Sequence, residues 1–156
     1  MEAVALTRSA RSLTIHLATT RPTEFIDVTD HLLRFVRDAG VGIGVLTLQT
    51  RHTTTAVVAN EGEPLLLGDF ERMLERTVPA RERYWHDEMA LRPGVAADEP
   101  INGHAHCRAL LLPSSISLTV VGGILMLGRW QRVFFVELDG PRERECSAVL
   151  LGEGWL

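Results

Sequence analysis

The sequence contains no lysine: all 16 of its basic residues are arginine. That absence excludes Schiff-base catalysis, which needs a lysine amine, and a P-loop, whose lysine reaches the phosphates. Any anionic ligand must be gripped by arginine forks, hydroxyls or backbone amides instead. Cysteine is almost as scarce. Cys107 and Cys146 form neither a CxxC pair nor a disulfide framework, a pattern that fits a reducing, cytoplasmic setting. Aromatic residues are few, at five Phe, three Trp and one Tyr, and the net charge is −4. The basic stripe expected of a nucleic-acid binder is therefore missing. The longest nearly uncharged apolar stretch, 120–128, falls far short of the ~18 residues a membrane helix requires. No basic segment precedes Leu6 to mark a secretory signal. The HExxH, G-x-S-x-G and GxGxxG signatures are absent as well.

What remains is an ordinary globular composition. With 156 residues, 46% hydrophobic and 23% charged, the chain is expected to form one domain over 1–156. Val4, Leu6, Leu13, Ile15 and Leu17 alternate with polar residues in two short runs, which predicts a hairpin turning at 8–11. The period then changes. Leu32, Phe35, Val36 and Ala39 predict a helix over 30–38, with Thr29 as N-cap and Gly40 as its stop. Strands are expected over 42–49 and 54–59. Pro64, followed by Leu66, Phe70, Met73, Leu74 and Thr77, predicts a second helix over 64–77. Residues 80–102 show no clean period and carry Pro93, Gly94 and Pro100, so they read as a long loop, a place where function often sits. Strands over 116–121 and 124–127 flank Gly122-Gly123, and strands over 131–138 and 145–151 flank Asp139-Gly140-Pro141. Short turns between most strands, with two helices inserted early, predict an α+β fold on an antiparallel sheet.

Six histidines are the main chemical signal. His16, on a strand, and His31, on an exposed helical turn, are expected to lie apart from any site. His52 heads the run His52-Thr53-Thr54-Thr55 between two strands. Three hydroxyls beside an imidazole can hold a phosphate, although threonine also simply favours strands. His86-Asp87-Glu88 falls in the long loop. His104 and His106 would share a face in a strand but diverge by about 200° in a helix. The residues after them look helical, so one of the two is expected to serve a site. His52, His86 and one of that pair would suffice for an open three-histidine metal centre. Arg142 and Arg144 would make two forks suited to phosphate, or else an ordinary charged turn. Trp130 and Gln131, which both demand partners when buried, fit a pocket wall.

In order and spacing these pieces resemble the YjbQ-like proteins, the secondary thiamine-phosphate synthase family. The matching residues are His52-Thr53-Thr54 with Asn60-Glu61 downstream, Asp69, Tyr84-x-His86-Asp87, Asn102-x-x-x-His106, Gly128-x-Trp130-Gln131, and Glu137 followed by Gly140-Pro141-Arg142-x-Arg144. The resemblance spans about 13–152, and Pro113 departs from it where the family usually has glycine. It implies a compact subunit whose antiparallel sheet folds as a sandwich or barrel with two main helices. It also implies a homotrimer with sites near subunit boundaries. The implied activity joins a pyrimidine pyrophosphate to a thiazole phosphate, giving thiamine phosphate and pyrophosphate. In that scheme His52, His86 and His106 hold a divalent metal (Zn, Mn or Mg). Thr53, Thr54, Asn102, Gln131, Arg142 and Arg144 bind the small phosphorylated metabolites. Glu61 or Asp69 orients a histidine or a water, and His52 belongs to the catalytic set. Pyrophosphate chemistry normally uses Mg²⁺, whereas imidazoles favour softer ions. The same residues thus also suit a metal-dependent hydrolase or a non-enzymatic trimeric small-ligand-binding protein.

Overall fold

Residues 7–96 and 98–154 are described by a computed structural model. The period-two runs become strands β1 (Thr7–Ala18), β2 (Glu24–Asp27), β3 (Ile43–Thr50), β4 (Thr55–Glu61), β5 (Ser115–Val121), β6 (Ile124–Leu125), β7 (Gln131–Glu137) and β8 (Glu143–Gly154). The helical runs become α1 (Thr29–Ala39), α2 (Pro64–Thr77) and α3 (Gly103–Leu111). Every pairing is antiparallel. Five strands form one sheet in the order β1-β8-β3-β5-β6, and three form a second in the order β2-β7-β4. The architecture is α+β, as the pattern predicts. Among the described residues no helix is long and apolar enough to cross a membrane.

Strand β7 sets the layering because both of its faces are apolar. Val133 and Phe135 join a core with Leu46 and Leu48 of β3, Leu150 of β8, and Leu32 and Val36 of α1. Phe134 and Val136 face the other way, into a second cluster with Leu138, Ala56 of β4, Leu74 of α2 and Ala105 of α3. A strand apolar on both faces must lie between two layers. The three-stranded sheet is accordingly the middle layer, with the five-stranded sheet on one side and α2 and α3 on the other. The outward face of the five-stranded sheet leaves Ile43, Val45, Val121, Ile124, Val149 and Leu151 exposed.

Local signals explain most boundaries. Glu63 caps α2 by accepting from the Leu65 and Leu66 amides at 2.9 and 2.8 Å. Gly40 ends α1 at φ 64°, and Gly122 and Gly123 both take the positive φ that a tight β5–β6 turn needs. Three expectations need correction. Residues 8–11 do not turn; they continue β1, with Arg8 opposite Glu153 and Arg11 opposite Leu150 on the long partner β8. The other expected arm, at Val4 and Leu6, lies outside the described residues. Thr29 does not cap α1, because its hydroxyl accepts instead from the Val133 amide at 2.7 Å, tying the helix to β7. Finally, β7 and β8 are not a hairpin. The turn at Asp139-Gly140-Pro141 carries the chain from one sheet to the other.

That crossing is held by a buried ion pair. Glu137, at the end of β7, has no exposed surface, and Arg144 of β8 reaches it with two nitrogens, Nε to Oε2 at 2.7 Å and Nη2 to Oε1 at 2.8 Å. The Leu138 and Asp139 amides and the Thr19 hydroxyl donate to the same carboxylate. Burial alone would raise the Glu137 pKa. The Arg144 fork and the other donors outweigh it and hold the carboxyl below its usual range. Arg144→Ala should therefore strand a buried charge and cost about 3–5 kcal/mol in urea unfolding. Arg142→Ala, which removes a pair of which Arg142 is 40% exposed, should cost no more than about 1 kcal/mol. Equal losses for the two variants would contradict this assignment.

Candidate functional site

The link between β3 and β4 is a tight turn locked by its own hydroxyls. Thr50 Oγ1 bonds Thr55 Oγ1 and accepts from the His52 amide at 3.3 Å, while Thr55 Oγ1 donates to the His52 carbonyl. Thr54 is buried, and its hydroxyl accepts from Arg144 Nη2 at 3.0 Å. Of the three threonines in the run, only Thr53 keeps a hydroxyl without a partner among the described residues. His52 Nε2 accepts from the Glu145 amide of β8 at 3.0 Å. An acceptor nitrogen carries no proton, so the proton of the neutral ring sits on Nδ1. Burial, and then the nearby positive charge of Arg144, lowers the His52 pKa and keeps the ring neutral at pH 7.

This turn forms one wall of an open groove of about 740 Å³, lined by Arg51, His52 and Thr53. The groove is also lined by α3 and the segment after it, with His106, Leu110, Pro113 and Ser114. Arg51 is held at 2.5 Å by Glu145. The α3 wall also brings in the long loop. The rings of His86 and His106 lie 4.7 Å apart between centroids. His86 Nδ1 is 3.3 Å from Asp87 Oδ1, and Nε2 is 3.9 Å from Glu99 Oε1. Asp87 Oδ1 also accepts from the Gly103 amide, fastening the loop to the start of α3. A side chain at Gly103 has no room there, since a Cβ would come 2.5 Å from Tyr84 Cβ. Burial, and then His86, lowers the pKa of His106. His104 points elsewhere, as helical spacing requires, with its ring 6.3 Å from that of Tyr84.

A third group gathers on the crossing turn. Asn102 Nδ2 donates to Asp139 Oδ2 at 2.8 Å, and Arg142 grips the same carboxylate through Nη2 at 2.8 Å and Nε at 3.1 Å. Arg142 is thus committed to Asp139, and Arg144 to Glu137 and Thr54. The two are not the free pair of phosphate forks that their spacing implies.

Other expected site residues lie apart. Glu61 ends β4, six residues beyond Thr55, which at about 3.3 Å per residue places it about 20 Å from the His52 turn. Gln131 lies opposite Glu61 in the β4–β7 register, and its Oε1 accepts from the Gly128 amide. Asp69 sits on the exposed side of α2, paired with Arg72. None of the three can orient a group held by His52 in the same chain. His31 is remote, as expected, on α1 beside Arg34. His16 is not: it pairs with Glu145 in the β1–β8 register, 4.0 Å from that carboxylate. Arg51 and Glu145 were not singled out in the sequence. Adjacency to His52 is a signal for Arg51, whereas nothing local marks Glu145.

The three histidines meet only in part. His52 and His106 line the same groove, and the rings of His86 and His106 lie together at a tilt of 39°. They do not form the expected three-histidine ligand set, because the lone pair of His52 Nε2 is taken by a backbone amide and Nδ1 carries the proton. Among the described residues no group of three or more His, Cys, Asp or Glu side chains is arranged to hold a metal ion.

The family described as UPF0047 protein YjbQ-like matches residues 13–153. A UPF0047 protein of Methanothermobacter thermautotrophicus is 39% identical over 137 residues, covering 88% of this chain and 89% of that one. The UPF0047 protein YugU of Bacillus subtilis is 30% identical over 142 residues, 89% of this chain and 98% of that one. Among solved structures, a YbjQ-like protein of unknown function from Sulfolobus solfataricus superimposes with a TM-score of 0.84 at 32% identity, covering 94% of this chain and 100% of that one. A hypothetical protein from Aeropyrum pernix gives 0.82 at 33% identity, with 92% and 99% covered. In fold and in sequence alike, the chain belongs to the YjbQ-like UPF0047 family.

Proposed function

We propose that the groove between His52 and His106 binds a small phosphorylated metabolite, and that the protein is a transferase of the thiamine-phosphate synthase type. The observation that carries this reading is the fixed tautomer of His52. With Nε2 anchored by the Glu145 amide, Nδ1–H is a donor held in place before the substrate arrives. Such a donor is suited to an oxygen on which negative charge develops. Arg51 and the Thr53 hydroxyl line the same wall and add the groups that an anion needs. In the reaction the thiazole nitrogen attacks the methylene carbon of the pyrimidine pyrophosphate. A C–N bond forms, the C–O bond breaks, and its electron pair leaves with pyrophosphate. His52 Nδ1–H and the Arg51 nitrogens that Glu145 leaves free stabilise that departing oxygen.

A second reading, hydrolysis of a phosphorylated metabolite, is favoured by the His86–His106 pair. A neutral imidazole with a lowered pKa can accept a proton from water. The products separate the two readings. Incubating the protein with both precursors and a divalent metal should yield thiamine phosphate by mass spectrometry, and His52→Ala should lower the rate by about 10²-fold or more. Precursors hydrolysed without being joined would favour the second reading. No product above a protein-free control, or an unchanged rate in the variant, would sink the first.

The pH dependence follows from the neutral rings. Both pKa values are lowered, so the neutral forms persist through pH 7, and the rate should fall only as the pH drops below the ordinary histidine range. A rate that rises on acidification would oppose it. The proposal also includes a homotrimer. The exposed apolar face formed by Ile43, Val45, Val121, Ile124 and Leu151 supports self-association. Light scattering should give near three times 17.3 kDa, and a clean monomer would count against it.

A further inference from the structure

The far ends of β4 and β7 carry side chains that the His52 groove does not use. Two adjoining grooves of about 360 and 350 Å³ share Glu61, Arg129 and Trp130. The Trp130 indole is 62% exposed and open to a ligand. A planar group already rests on it: the Arg129 guanidinium lies 4.5 Å from the ring centroid. Glu61 and Gln131 are direct cross-strand partners, so their side chains leave the same face with Cβ atoms roughly 5 Å apart.

The hydrogen-bonding polarity of this pair is fixed. Gln131 Oε1 accepts from the Gly128 amide at 2.8 Å, which turns the side-chain NH₂ away as a free donor. The Glu61 carboxylate has no hydrogen-bond or ion-pair partner among the described residues. An acceptor and a donor therefore stand side by side at the edge of an aromatic platform. Their complement is a flat ring with an amino group next to a ring nitrogen. The amino group donates to Glu61, the ring nitrogen accepts from Gln131, and the ring stacks on Trp130. Carboxylates accepting from an exocyclic amine, and side-chain amides reading a base edge, are familiar pairings in base recognition.

We propose that Trp130, Glu61 and Gln131 form a second ligand site, at the opposite end of β4 from His52, for an amino-substituted nitrogen heterocycle such as a nucleoside. Cytidine is the probe, and cytidine dimethylated on its exocyclic amine is the control, since dimethylation removes both amine protons and leaves the ring nitrogen as an acceptor. Isothermal titration of the whole protein should show saturable binding of cytidine, with the dimethylated nucleoside at least about tenfold weaker, because one hydrogen bond to a charged group is lost. Glu61→Gln should weaken cytidine by about tenfold and leave the dimethylated nucleoside unchanged, since only cytidine donates to the carboxylate. Trp130→Ala should abolish binding while Trp130→Phe keeps part of it; both sites are exposed, so the fold is undisturbed. His52→Ala should leave the cytidine affinity unchanged, which separates this site from the groove. The proposal fails if neither nucleoside saturates up to its solubility limit. It fails equally if the dimethylated nucleoside matches cytidine on the unaltered protein, or if binding survives both Trp130→Ala and Glu61→Gln.

Discussion

A carboxylate cut off from water at the end of β7 is the constraint on which the rest of the molecule depends. Glu137 can stay ionised there only if a cation comes to it, and Arg144 does so from the other sheet. That requirement sets where the chain crosses between sheets and how β8 begins. Its consequences reach the candidate site directly. The same guanidinium fixes Thr54, and the next residue, Glu145, supplies the amide that holds His52 Nε2. The orientation of the imidazole is thus a by-product of how a buried charge is neutralised. The positive charge beside it also helps to keep the ring unprotonated. Stability and chemistry share one set of side chains, so neither can be altered there without the other.

The two ends of β4 divide the molecule's chemistry. At the Thr55 end lie imidazoles, hydroxyls and Arg51, a set of groups that can face an anion. At the Glu61 end lie carboxylates, an amide and an exposed indole with Arg129 on its face, which suit an amino-substituted ring. A strand transmits little besides distance, so the two ends can differ in polarity without compromise. The middle of the strand between them is packed against apolar residues on both sides.

Strongly periodic segments were legible from the residues. Helix α2 begins at the expected Pro64 and ends at the expected Thr77, and the strand carrying Leu46 and Leu48 and its neighbour after the His52 turn lie within a residue or two of their expected limits. Residues 8–11 misled because Arg, Ser and Ala in a row look like a turn when the partner strand is unknown. The histidines of the groove were legible by type, and helical spacing correctly set His104 apart from His106. The roles of Arg142 and Arg144 were not, since a motif records order along the chain and not which carboxylate lies underneath. That Glu61 and Gln131 lie at the other end of β4 from the His52 turn was hidden for a related reason. Seven residues of extended chain span a distance that sequence proximity conceals. His16 was expected to be remote because the β1–β8 register is written in neither strand alone.

Strands β1 and β8 run side by side over twelve pairs, from Ala18 opposite Glu143 to Thr7 opposite Gly154. Residues 7 and 154 therefore stand next to each other at one edge of the five-stranded sheet. Tension applied between them would load the interstrand hydrogen bonds one pair at a time, as a zipper opens, and not all together in shear. Resistance to pulling would be low at that edge even though the interior is tightly packed. The peeling front would reach the chemistry last, because His16 and Glu145, beside the His52 turn, lie near the closed end of the ladder.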